Sequence, residues 1–208
     1  MAITYPLYMP TVPGFSRIVL KPRNVVGMSS SPFTLQQQTY LFPGEYWELE
    51  LTLPPMKRAA AEAWITFLLS LRGQSGTFYF QATAFSTPRG VATGTPLVNG
   101  AGQTGVSLIT DGWTPSTTGI LKAGDFLSVY SGSSSINRLY KNLTDVNSDS
   151  GGNATFNIWP RLRESPPDNT PVVVNGPNGT FRLAGNQQQI DIDQAQIYGI
   201  GFSAVEAI

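Results

Sequence analysis

The chain has 208 residues, no cysteine and no histidine, and its 13 Lys+Arg balance 13 Asp+Glu. These counts exclude disulfides, Cys or Ser–His nucleophile pairs, and the thiolate and imidazole ligands that zinc and copper prefer; a catalyst built here would have to work with carboxylates alone. The balanced charge removes the field that gathers nucleic acid or anionic lipid, and a charged share of 12%, about half the usual one, leaves uncharged polar groups to face water or to be buried in an assembly.

Residues 1–16 carry Pro6, Pro10 and Pro13. Fixed φ at these prolines favours an extended arm able to reach a neighbour. Met1 to Pro10 has no basic residue and no apolar run of signal-peptide length, and no stretch nears the roughly 20 apolar residues of a span. Synthesis and retention in a cytosol, without membrane insertion, is the expectation.

Trp47, Leu49, Leu51 and Leu53 alternate with Glu48, Glu50 and Thr52, which predicts a half-buried strand. Pro54-Pro55 then opens, and Gly73 closes, a predicted helix over 55–72. Ala60, Trp64, Phe67, Leu68 and Leu71 give it one apolar stripe, so it should pack on a sheet. Thr77–Gln81 reads as an aromatic strand. Together these make an α+β unit.

Residues 86–119 are rich in Gly and Pro, with short strands such as 105–110 between turns. From Leu121 the pattern is all-β: 125–130, 137–140, 154–159, 171–174 and 180–183, spaced as in a small sandwich or barrel. Segments 187–192 and 196–203 alternate like the first unit. The fold class expected is therefore mainly β (α+β), a sandwich-like sheet with one packed helix plus an inserted small β-sandwich or barrel. Its organisation is 1–86 with 185–208 as one domain and 87–184 inserted into it.

Motifs add little chemistry. Gly100-Ala-Gly102-Gln-Thr-Gly105 matches the dinucleotide fingerprint, but the β-branched 106–110 starts no helix to hold a pyrophosphate, so no cofactor is expected. Asp145-Val-Asn147-Ser-Asp149 imitates the start of a calcium loop, yet Ser150 and Phe156 stand where Gly and Glu are needed. A polar turn is favoured and weak calcium binding stays open; no metal site is assigned. Glu48 and Glu50 lie about 7 Å apart on one strand face, a spacing a carboxylate pair could use but a solvated face explains. Asp191 and Asp193 read the same way. Sequons at Asn142, Asn153 and Asn178 are expected by chance in an Asn/Thr-rich chain.

The alternating 47–53, the helix with Ala63-Trp64 and Phe67-Leu68, and Gly73-Gln-Ser-Gly76-Thr-Phe-Tyr-Phe80 resemble the distal tail and tail-tip proteins of tailed bacteriophages. Leu121–Phe126 through Gly151–Arg163 is similar to the β domain inserted in some members, and Ile197–Ser203 to their closing strand. The resemblance implies a non-enzymatic virion protein that forms a ring at the end of the tail tube. Such a ring has six subunits usually and three in some cases. It joins the tube protein to the hub, baseplate or fibres without holding DNA tightly. Candidate subunit contacts are Gly73, Gln74, Ser75 and Gly76, the loop 86–119 and the arm with Pro6, Pro10 and Pro13. The alternative is a carbohydrate-binding or adhesion module, with Trp113 and Trp159 (beside Tyr130 and Tyr140) stacking on sugar. A carboxylate-dependent hydrolase is the third reading.

Overall fold

The computed structural model describes residues 3–81, 83–131 and 136–208. Its strands are β1 (Leu7–Tyr8), β2 (Arg17–Ser30), β3 (Gln37–Thr52), β4 (Met56–Lys57), β5 (Thr77–Phe80), β6 (Gly94–Val98), β7 (Gly105–Trp113), β8 (Phe126–Ser131), β9 (Ile136–Asn142), β10 (Ala154–Leu162), β11 (Val172–Val173), β12 (Gly179–Leu183), β13 (Gln189–Ile192) and β14 (Ile197–Glu206); the helix α1 is Arg58–Ser70. The fold is mainly β, with this one α-helix among the described residues.

The alternation at 47–53 builds the first sheet. Trp47, Leu49, Leu51 and Leu53 are buried, while Glu48 and Glu50 face outward and pair with Arg23 and Lys21 on β2. The sheet order is β1-β5-β12-β14-β3-β2, with β13 and β4 also on β14. Helix α1 covers one face, burying Ala61, Trp64, Phe67 and Leu68; each of the large side chains contributes about 1.5–3 kcal/mol relative to exposure. The predicted stripe holds, except that Ala61 rather than Ala60 lies deepest. The helix is shorter than 55–72 because Met56-Lys57 pairs with β14 before it and Arg72 and Gly73 turn to positive φ after it.

The second sheet runs β11-β8-β9-β10-β7-β6. A bridge from Leu97 to Pro171 and the Val98 N–H donating to Thr170 O (2.9 Å) bring its two end strands together, so it nearly closes on itself. Alternating residues of β10 (Ala154, Phe156, Ile158, Leu162) fill its core with Leu108, Leu127 and Val129. One strand moves relative to the sequence reading. Thr180–Leu183, expected with the middle segment, lies in the first sheet between β5 and β14. Its Phe181 packs on Phe78 and Phe80, so the second sheet ends at β11 instead of reaching 184.

The two sheets meet along an aromatic and ionic seam. Trp47 donates its indole N–H to Leu139 O (2.9 Å) and packs edge-on against Trp159, with ring centres 4.4 Å apart. Phe85 stacks on Phe126. Beside them Glu206 is buried between Arg138 (3.8 Å) and Arg163 (3.3 Å), and the Trp47 backbone N–H donates to it. Glu45, also buried, accepts the Arg161 backbone N–H (2.9 Å), and its own carbonyl accepts from Arg163. Burial pushes the Glu206 carboxyl up, against the two guanidiniums that pull it down.

Candidate functional site

Residues 48–52 of β3 pair with β14; from Asn24 to Gly44 the β2–β3 hairpin has no further strand beside it among the described residues. Its base is held, since Asn24 Oδ1 accepts the Trp159 indole N–H (2.9 Å) and Glu45 is tied into the seam. Its outer half stands in solvent with both faces open. Phe33 is 95%, Leu35 79%, Met28 67% and Tyr40 66% exposed. Between Arg23 and Glu45 the sequence has no charged residue. The ribbon has a register shift at its base, between Arg23 and Val25, but beyond it carries neither charge nor cover over its exposed apolar side chains, the two devices by which soluble sheets most often protect such an edge.

Strand β1 lies at the other end of the same sheet. The N-terminal segment does not reach away from the chain. Leu7 and Tyr8 pair in parallel with Phe78 and Tyr79, Tyr5 Oη donates to Ser70 O (2.6 Å), and Pro6, Pro10 and Pro13 are half-buried. Met1 and Ala2 lie outside the described residues. The expected extended arm is thus folded back, because Tyr5, Leu7, Met9 and Phe15 gain more by packing on the core around α1 than by staying free. Between this segment and α1 lies a groove of about 440 Å³ lined by Ile3, Leu7, Tyr8, Ala63, Thr66 and Phe67. A second, of about 620 Å³, shares Tyr8, Met9 and Pro10 and continues to Phe15, Ile18 and Trp64. Among the described residues neither has a charged one in its wall. The Trp64 indole N–H is buried and has no acceptor.

The helix-to-strand turn is bound to its own chain. Gly73 and Arg72 hold positive φ, Gln74 N–H donates to Asn186 Oδ1 (3.0 Å), and Gln74 Nε2 donates to Ala184 O (2.9 Å). Gly76 is buried, and a Cβ there would sit 2.7 Å from Leu71 O. Gln74 and Ser75 are the members of the predicted contact that remain exposed.

Trp113, a candidate for stacking on sugar, is 3% exposed; it packs on Phe156 and donates to Thr110 Oγ1 (2.8 Å). Trp159 is half-buried in the seam. Trp113 offers no open ring face, because the register of β7 turns it inward, whereas Trp159 lies edge-on against Trp47 and keeps part of its surface in solvent.

The carboxylates are engaged locally. Asp145 accepts the Ala123 N–H (2.8 Å), Asn147 Oδ1 the Gly119 N–H (2.7 Å), and Asp149 the Gly151 and Asn153 N–H groups (2.8 Å each). These side chains organise three different turns, and among the described residues no group of three or more acidic, Cys or His side chains is placed to hold a metal. Asp193 accepts the Ile197 N–H (2.8 Å) and closes the β13–β14 turn. Buried Asp125 accepts backbone N–H groups from Lys122, Arg89 and Gly90; burial pushes its carboxyl up, but these donors and the Arg89 guanidinium outweigh it and hold it below the usual range. Glu48 and Glu50 are paired to cations and form no open carboxylate couple.

Among the described residues no helix is long and apolar enough to cross a membrane. No known protein family matches the chain, and no curated protein sequence does.

Proposed function

We propose that this chain is a structural subunit of a bacteriophage tail, non-enzymatic, forming a ring at the distal end of the tail tube and linking it to the baseplate or receptor-binding apparatus. One observation carries the reading most: a first sheet that ends in a protruding, charge-free apolar hairpin, beside a second sheet that is nearly closed. A monomer gains nothing from such an edge, whereas a ring subunit needs surfaces that become covered when copies meet. The near-neutral charge suits a lumen that conducts DNA without holding it. The saccharide reading loses Trp113, which is buried, and is left with Trp159, half-buried and packed edge-on against Trp47.

Negative-stain microscopy of the purified protein tests the assignment. Closed rings with an open centre, six-fold or three-fold, that stack on polymerised tail-tube protein are the expected result. A chain that stays monomeric at the highest attainable concentration sinks it.

A further inference from the structure

The hairpin and the groove have matching chemistry and sit at opposite ends of one sheet. Strands β2 and β1 terminate the order β1-β5-β12-β14-β3-β2, so the hairpin leaves the sheet at one end and the groove opens at the other. A two-stranded ribbon alone in water is marginal, so residues 24–44 need a covering surface to keep their pairing. That surface must be apolar and free of charge, because any Lys or Glu set against Phe33, Leu35 or Tyr40 would lose its hydration without a partner. The groove walls meet this condition, with Ile3, Leu7, Ala63 and Phe67 and no charged side chain among the described residues.

We infer that the β2–β3 hairpin of one copy seats its tip, Phe33 and Leu35, in the groove between the N-terminal segment and α1 of the next copy. This deepens the ring reading and rests on it, by naming the two surfaces that meet. Three observations select a second copy as the occupant. Donor and acceptor surfaces lie on the same chain. They are different patches, so the contact is head-to-tail, the kind that closes into a ring when the rotation permits. The hairpin's large apolar side chains from Val25 to Phe42 are each 44–95% exposed, and Phe33 and Leu35 at its tip are the most open of them, so seating the tip removes the two most costly exposures from water. The groove is of a size to take an aromatic anchor at the centre of such a contact.

Absence of cysteine makes the test direct. The Thr34→Cys/Ala63→Cys double variant, which keeps both Phe33 and Leu35, should run under mild oxidation as a ladder of cross-linked multimers, each single variant stopping at a dimer at most. Analytical ultracentrifugation gives the second arm. Phe33→Ser/Leu35→Ser and, separately, Ala63→Glu should each weaken self-association more than about tenfold, with melting temperature unchanged as the check on folding. Mixing these two variants should restore a 1:1 dimer that grows no further, because one intact hairpin then meets one intact groove. A wild-type monomer overturns the ring reading and this inference together, and leaves the hairpin to a partner of different sequence. An assembly that persists at full strength in both variants, or that gives no ladder, overturns the inference alone and leaves the ring standing.

Discussion

The two sheets of this protein solve the edge problem in opposite ways. The second brings β11 back to β6, so its end strands cover each other and its apolar residues turn inward: Leu108, Leu127, Phe156 and Ile158 are fully enclosed. The first leaves β2 uncovered and prolongs it, with β3, into a ribbon whose Phe33 and Met28 face water. Both carry apolar residues in similar β patterns. What differs is whether the partner strand lies within the chain. Closure makes a self-sufficient unit, and an open, apolar, charge-free end makes a surface that is finished by something else.

The contrast gives graded outcomes. In the seam, Glu206→Ala removes the carboxylate shared by Arg138 and Arg163 and should cost about 3–5 kcal/mol in urea denaturation, since it leaves buried guanidiniums uncompensated. Phe156→Ala in the closed sheet should cost about as much, roughly 3–5 kcal/mol, by opening a cavity in an enclosed core. Asp125→Asn should cost about 1–3 kcal/mol, because an amide cannot accept at both oxygens from the N–H groups now facing it.

Acidity separates two of these groups. Asp125, held below the usual range, contributes stability above its unfolded value near 3.9 and loses it as pH falls through the folded value; wild type should therefore lose its advantage over Asp125→Asn on acidification. Glu206, pushed up, contributes in the opposite sense: its share is complete below the unfolded value and is lost as pH rises through the folded one. Wild type should accordingly gain on Glu206→Gln as pH falls across that window. Denaturation curves at several pH values read both slopes, and parallel slopes would contradict the assignment. Smallest of all, Phe33→Ala should change the stability of the folded chain by less than about 0.5 kcal/mol, since its ring touches little within the chain. A large loss there would mean that the hairpin is packed within its own chain and the comparison fails.

Much of the fold was legible because it is local. The alternation at 47–53 fixes which side of β3 is buried, and the apolar spacing at 60–71 predicts a helix lying on that side. What failed is long-range. Thr180–Leu183 alternates in the same way whichever sheet it joins, and only pairing with Phe78 and Ala204 decides. The alternative reading needs Trp113 and Trp159 exposed, and tryptophan content says nothing of the register that buries the first and half-buries the second. The N-terminal prolines suggested reach, and Tyr5 and Leu7 instead found partners on the core around α1. The hairpin did leave a signal that periodicity does not weigh: 21 consecutive uncharged residues, from Asn24 to Gly44, between Arg23 and Glu45. In a chain that already carries few charges, that gap marks the segment most dependent on cover.

The anchoring of the hairpin base has a mechanical consequence. Glu45 and Asn24, where the ribbon leaves its sheet, are bound to Arg161, Arg163 and Trp159 of the other layer. A load on the ribbon is therefore shared at its base with the second sheet, through the Trp159–Asn24 and Arg161–Glu45 hydrogen bonds, and not borne by the pairing with β14 alone.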